Sequence, residues 1–283
     1  YISWAASYWY NDIKLVSIVG EDFPEDEVRA LQQRGVDMEG LVRVAGKQSF
    51  YWAGSYHADM NNRDTLVTEL NVLADFNPVL PEAARNSAFI MLGNLTPDIQ
   101  LSVLNQLSSK PKLIVLDTMN FWMDNAMDTL KQVIARVDVL TINDEEARQL
   151  SGEHSLVRAA EAIHKMGPAY LVIKKGEHGA LLFHNGQIFF APGLPVPDVV
   201  DPTGAGDSFA GGMIGYLART GDVSFSNMKT AIIYGSTMAS FCVEEFSLNK
   251  LRYLTQEELH ERLRQFEQLS TFDVRELSVV NKA

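Results

Sequence analysis

Short apolar runs rich in Val, Ile and Leu recur at Lys14–Gly20, Ser87–Asn94, Pro111–Thr118, Val137–Asn143 and Ala169–Gly176. Runs of this length and composition read as strands, and the intervening stretches read as helices near Glu25–Arg34, Asp98–Leu107, Asp124–Ala135 and, in two pieces, Glu145–Met166. Strand and helix in alternation imply an α/β fold with a mostly parallel central sheet covered on both faces, a three-layer α/β/α sandwich. Ligands of such sheets bind beyond the carboxyl ends of the strands.

Residues 38–76 break the rhythm. Val42–Val44, Ser49–Tyr56 and Leu66–Ala74 read as short strands joined by polar turns, among them Asn61-Asn62-Arg63-Asp64. They predict a small sheet projecting from a main domain made of residues 1–37 and 77–283. The start is unusual: Tyr1–Trp9 reads as the middle of an apolar helix with neither an initiating methionine nor a cap, so a preceding segment is expected.

The 283 residues are 46% hydrophobic and 21% charged, enough for one large core with a small appendage. No apolar run is long enough to span a bilayer as a helix. A net charge of −12 argues against a nucleic-acid partner, because phosphate backbones need a basic face. An acidic protein that binds phosphates must therefore concentrate its cations locally. Cys242 is the only cysteine, which rules out an internal disulfide and suits a cytoplasmic setting.

Three motifs carry chemistry. The first is Asp201-Pro202-Thr203-Gly204-Ala205-Gly206-Asp207, where an extended segment rich in β-formers and proline, Gln187–Val200, turns into the apolar helix Ser208–Arg219. Glycines there let consecutive amides point into one cavity at the positive end of a helix, a natural anion site. Asp207 beside such a site makes sense as the group that takes a proton from an alcohol attacking the bound phosphate, although aspartate is also a common helix cap. The second is Asn143-Asp144-Glu145-Glu146 at a strand end. Asn143 and Glu146 share a helical face and could hold water around a magnesium ion, or the acids could simply complement the helix dipole. The third, Lys174-Lys175-Gly176-Glu177-His178-Gly179, is either a plain hairpin turn or a loop under a nucleotide, with Gly176 and Gly179 allowing close approach and Lys174 meeting a phosphate. The stretch Gly40–Gln48 resembles a Walker loop but fails its spacing, and no dinucleotide fingerprint follows the first strand.

In this order the three motifs make the chain resemble the ribokinase-like (PfkB) family of carbohydrate kinases, with Asp201–Gly212 similar to that family's second signature. The resemblance implies a ribokinase-like fold and ATP-dependent phosphorylation of a hydroxymethyl group on a sugar or sugar-like alcohol. Asp207 would be the base, and the amides of Gly204, Ala205 and Gly206 the anion hole. It further implies Asn143 and Glu146 in Mg2+ and phosphate binding and Gly176 in the nucleotide loop. Tyr234, Gly235 and Met238 become candidate adenine contacts, equally explained by helix packing. Asp201 and the Thr203 carbonyl are candidates for a monovalent cation such as K+. Residues 38–76 would be a β lid, whose Phe50, Trp52 and Tyr56 either cover the substrate or pack a homodimer. Asn94, Asp117, Trp52 and Arg63 are candidate acceptor contacts. The family's N-terminal strand, with its substrate-gripping aspartate and Gly-Gly segment, is not in this sequence, so the sugar site is expected to be incomplete. A nucleoside kinase of adenosine type, or an inactive nucleotide- or sugar-binding regulator, are the alternatives.

Overall fold

The computed structural model describes residues 1–61 and 63–273. Its strands are β1 (Ile13–Gly20), β2 (Val36–Val44), β3 (Tyr51–Tyr56), β4 (Arg63–Glu69), β5 (Phe89–Leu92), β6 (Leu113–Asp117), β7 (Val139–Asn143), β8 (Tyr170–Lys174), β9 (Ala180–His184) and β10 (Gln187–Ala191). The central sheet has six strands in the order β10-β9-β8-β7-β6-β5. From β5 to β8 the strands run parallel, and β9 and β10 continue as an antiparallel meander.

Alternate residues of these strands feed two cores. Ile114, Leu116, Leu140, Ile142, Leu171 and Ile173 pack on one face against helices Met127–Ile134, Asp144–Ser151 and Leu156–His164. Leu113, Val115, Val139, Tyr170 and Val172 face the other way, against Phe209, Met213 and Leu217 of helix Ala205–Thr220 and Met228 and Ile232 of helix Phe225–Cys242. Burial on both faces explains why β6 to β8 read as nearly continuous apolar runs.

Helix Ala205–Thr220 packs closely against its neighbours through glycines. A methyl group on Gly212 would meet the Tyr234 carbonyl at 2.7 Å, and one on Gly215 would meet the carbonyl and Cα of Ala6 at 2.7 and 2.9 Å. The short helix Ile2–Ala6 lies against it there, as the apolar start of the sequence suggests.

Four expectations are corrected. Among the described residues Lys14–Gly20 does not join the central sheet; β1 pairs with β2 alone, in parallel, across helix Glu25–Gln33, a βαβ unit whose consecutive strands are neighbours. Val42–Val44 is accordingly the end of β2 and not part of the projecting sheet, so the expected boundary at residue 37 falls inside a strand. The projecting sheet is the hairpin β3–β4, and its second strand begins at Arg63, inside the segment read as a turn. Residues 71–73 form a 3-10 turn that buries Val72 and draws Leu73 into a small core with Phe76 and Ile99.

Candidate active site

Strand parity builds the centre of the site. Asp117 ends β6, Thr141 lies opposite it in β7, and Lys174 ends β8; all three point to the face covered by helix Ala205–Thr220. Lys174 Nζ forms an ion pair with Asp117 Oδ1 at 2.8 Å, and Thr141 Oγ1 donates to the same oxygen at 2.9 Å. The Asp117 carbonyl accepts from Gln100 Nε2 at 3.2 Å. Burial acts against the charged form of Lys174, but the carboxylates of Asp117 and Glu146 outweigh it and hold its pKa above the ordinary lysine value.

Helix Ala205–Thr220 starts from Gly204, which has φ +82° and carries the Tyr1 ring against it, so a side chain there is excluded twice over. Asp201 Oδ1 accepts the Thr203 N–H at 2.9 Å, which fixes the loop into the helix. The Ala205 N–H is engaged by the Pro202 carbonyl at 3.1 Å. The first-turn amides of Gly206 and Asp207 have no preceding helical carbonyl to donate to. A Cβ on Gly206 would sit 3.4 Å from Lys174 Nζ, so the ammonium and the helix N-terminus converge on one spot. Burial pushes the Asp207 carboxyl above the ordinary value, and the charge of Asp117 adds to this while Lys174 opposes it.

Asn143 and Glu146 form a reciprocal capping box. Asn143 Oδ1 accepts the Glu146 N–H at 2.8 Å, and Glu146 Oε2 accepts the Asn143 N–H at 2.7 Å. Glu146 is 6% exposed, and burial raises its pKa. Its second oxygen is left for the cleft it lines. Among the described residues no cluster of three acids, histidines or cysteines could cage a metal. A magnesium ion carried in on phosphates needs only one or two protein carboxylates, and one free oxygen of Glu146 meets that requirement.

These groups line one cleft of about 2360 Å³, together with Asn94, Gly176, Gly179 and Thr203, the unpaired edges of β1 and β5, and the face of the hairpin that carries Trp52, Tyr56, Arg63 and Thr65. Asn94 Oδ1 accepts from Trp122 Nε1 at 2.9 Å, so half of its amide is committed to holding that indole. Gly176 has φ +54° and Gly179 φ +83°; the latter lies against the Ala191–Gly193 backbone. Tyr234, Gly235 and Met238 lie outside the cleft. Tyr234 packs on Trp9 and Tyr216, Gly235 on Phe209, and Met238 is fully buried. Helix Phe225–Cys242 turns Ser236, Ala239, Ser240 and Val243 toward the cleft instead, one helical face away. The sequence reading also passed over Thr141, whose signal was a hydroxyl in an otherwise apolar strand, and the hairpin contacts of Tyr56 and Asn61.

A family model described as pfkB family carbohydrate kinase matches residues 2–252. The chain belongs to that family. Among its pfkB relatives, the cytidine kinase of Thermococcus kodakarensis is 30% identical over 213 residues, 73% of this chain and 74% of that protein. The Methanocaldococcus jannaschii nucleoside kinase, an archaeal member of the ribokinase family, superposes with a TM-score of 0.74 at 20% identity, covering 93% of this chain and 84% of its own. A candidate ribokinase II from Escherichia coli, solved with ATP and Mg2+, gives a TM-score of 0.76 at 19% identity over 94% of this chain and 86% of its own. The fold is therefore that of the ribokinase-like kinases. Among the described residues, no helix is long and apolar enough to cross a membrane.

Proposed function

We propose that this pfkB-family chain transfers the terminal phosphoryl of ATP to the hydroxymethyl group of a nucleoside. The observation that carries the reading is the convergence of Lys174 and the start of helix Ala205–Thr220 on one point, with the Asp207 carboxylate beside it and no ion pair to that carboxylate among the described residues. Phosphoryl transfer asks the protein for position and charge. The amides and Lys174 hold the moving group, and Asp207 takes the proton of the attacking alcohol. Glu146, with Asn143 fixing its orientation, would hold Mg2+, which would neutralise phosphate charge when bound. The Gly176 turn would lie under the nucleotide. The β3–β4 hairpin is the lid, and its closure excludes water so that the acceptor and not solvent is phosphorylated.

The resemblance alone favoured a sugar-like acceptor; two considerations shift the weight to the nucleoside alternative. The lid turns Trp52 and Tyr56 toward the cleft, a surface on which a base can stack. A cytidine kinase and a nucleoside kinase are among the chain's relatives. Asn94, Asp117 and Arg63 flank the acceptor position, with Asp117 acting through Lys174. A monovalent-cation site is less supported. One Asp201 oxygen caps the loop, and the Thr203 carbonyl receives the Cys242 thiol at 3.6 Å.

The test is ADP release from ATP–Mg2+ across cytidine, uridine, adenosine, ribose and fructose. A nucleoside should be used with a KM at least about tenfold below that of ribose. Preference for a free sugar would return the assignment to the carbohydrate acceptor, and tight ATP binding with no acceptor used at all would make the chain a binding protein.

A further inference from the structure

Two buried polar atoms in the wall of the cleft lack a partner. Gln100 and Thr118 line the cleft at 2% and 3% exposure, and among the described residues neither Gln100 Oε1 nor Thr118 Oγ1 has a hydrogen-bond partner. A buried polar atom left this way costs as much as a lost hydrogen bond, so a folded protein keeps few without a use for them. Gln100 stands on helix Pro97–Asn105, which follows β5. Its Nε2 donates to the Gly93 carbonyl at 2.8 Å and to the Asp117 carbonyl at 3.2 Å. With both N–H groups given to carbonyls, the amide cannot be turned over, and Oε1 is left as a pure acceptor. The residues after those two carbonyls, Asn94 and Thr118, complete the group. Asn94 Oδ1 is taken by the Trp122 indole, which leaves Nδ2 to donate, and the Thr118 hydroxyl rotates to donate or accept. The ends of β5 and β6 thus carry one obligate acceptor flanked by two groups able to donate.

The wall beside them is aromatic. Phe121 and Trp122, in the short helix Asn120–Asn125, line the same cleft with their rings edge to face at 4.8 Å, and Phe121 is 44% exposed. A flat ring stacks on such a surface, whereas a free sugar turns hydroxyls to every side. The position agrees with this. Lys174 and Asp117 meet across β7, and Gln100 lies between the ends of β6 and β5, so an acceptor reacting near Lys174 must extend past β6 to reach it. Bases differ in what they offer there. Cytosine and adenine present an amino group, a donor, where uracil and hypoxanthine present a carbonyl oxygen that would face Oε1 as acceptor against acceptor.

We infer, resting on the nucleoside-kinase reading above, that Gln100 sets the specificity of the acceptor site: its Oε1 accepts an N–H from an exocyclic amino group of the base, and the Thr118 hydroxyl donates to the ring nitrogen beside that group. The ligand class is a nucleoside with an amino-bearing base, cytidine or adenosine ahead of uridine or inosine. Both atoms are shielded from water, so the seated base uncovers them as it supplies the bonds they lack.

Calorimetry of the full chain with cytidine, uridine, adenosine and inosine, together with kcat/KM for the same four with ATP–Mg2+, tests it. Cytidine should bind at least about tenfold more tightly than uridine, and adenosine than inosine, because the wrong base leaves Gln100 facing another acceptor. N4,N4-dimethylcytidine, which keeps the ring nitrogen but has no N–H to give, should bind as weakly as uridine. Gln100→Met removes two hydrogen bonds from the scaffold, so its readout is the ratio of cytidine to uridine affinity on one sample, which does not depend on the folded fraction. That ratio should fall to within about twofold of unity, whereas a merely structural glutamine would weaken both nucleosides alike and keep the ratio. Thr118→Val breaks no hydrogen bond within the chain and should melt at or above the wild-type temperature while weakening cytidine about fivefold. Cytidine and uridine bound and phosphorylated within threefold of each other, or a ratio that survives in Gln100→Met, overturns the role and leaves the kinase reading standing. A wild type that prefers cytidine in calorimetry, loses the preference in Gln100→Met and phosphorylates neither nucleoside sinks the kinase reading and keeps Gln100 in place.

Discussion

Replacing Asp207 with Asn separates catalysis from architecture. The Asp207 carboxylate makes no hydrogen bond or ion pair with another described side chain, so an isosteric amide removes nothing that holds helix Ala205–Thr220 in place. A positioned general base is worth about 10² to 10⁴ in rate, which corresponds to about 3–5 kcal/mol of transition-state stabilisation. Stability should move the other way. Burial raises the carboxyl above its ordinary 3.8, so the folded state disfavours the ionised form. The protonated group's stabilising contribution is complete below the unfolded pKa and is lost as pH rises through the folded one. The variant, which cannot ionise, escapes that loss and should melt at or above the wild-type temperature at pH 7, with the difference shrinking toward pH 3. In the wild type kcat/KM should fall on the acid side along a limb set by this raised pKa, and the variant should lack the limb. Steady-state kinetics and ATP calorimetry from pH 5 to 9, with thermal melts from pH 3 to 9, measure all of this. Turnover within tenfold of wild type, or a low activity explained by a lower melting temperature and lost ATP binding, would refute the assignment of Asp207 as base.

Two further substitutions probe the scaffold around it. Lys174→Met leaves Asp117 and Glu146 without their cation in a largely buried setting, and breaking such a pair costs about 3–5 kcal/mol, readable in urea unfolding. Adding Asp117→Asn, which keeps an acceptor for Thr141, should return part of it; a loss below about 1 kcal/mol in the single variant would mean that water screens the pair. Gly215→Ala should gain about 1 kcal/mol in helix propensity yet destabilise by about 1–3 kcal/mol net, because the added methyl meets the Ala6 backbone, which cannot swing aside as a side chain would. An unchanged or higher melting temperature would show that helix Ile2–Ala6 is loosely seated.

The central sheet was legible because strands buried on both faces carry their signal in every residue, and the crossover helices carry theirs in a different period. The Asp201–Asp207 turn was legible for a local reason, since a left-handed Gly204 and two further small residues before an apolar helix have few other uses. What stayed hidden depends on pairing. Nothing within Lys14–Gly20 distinguishes a strand of the central sheet from one that pairs only with the next strand, because both present the same apolar run. The same limit applies to Asn143 and Glu146, whose spacing of three serves a capping box and a metal contact equally well. The structure shows the box and leaves one oxygen over.

Parity would have gone further than the sequence reading took it. Counting alternate residues back from Asp117, Asn143 and Lys174 places Asp117, Thr141 and Lys174 on one face, the face that also receives Phe209 and Met213. A lysine and an aspartate ending strands that flank a common neighbour, on the face covered by the helix that begins at Ala205, have little choice but to meet near that helix's N-terminus. Asp117 is accordingly the counter-ion of Lys174. The helix Phe225–Cys242 fails the same exercise for a different reason: one residue of drift turns a helix by 100°, enough to move Tyr234, Gly235 and Met238 from the cleft into the packing and to bring Ser236 and Ser240 into their place.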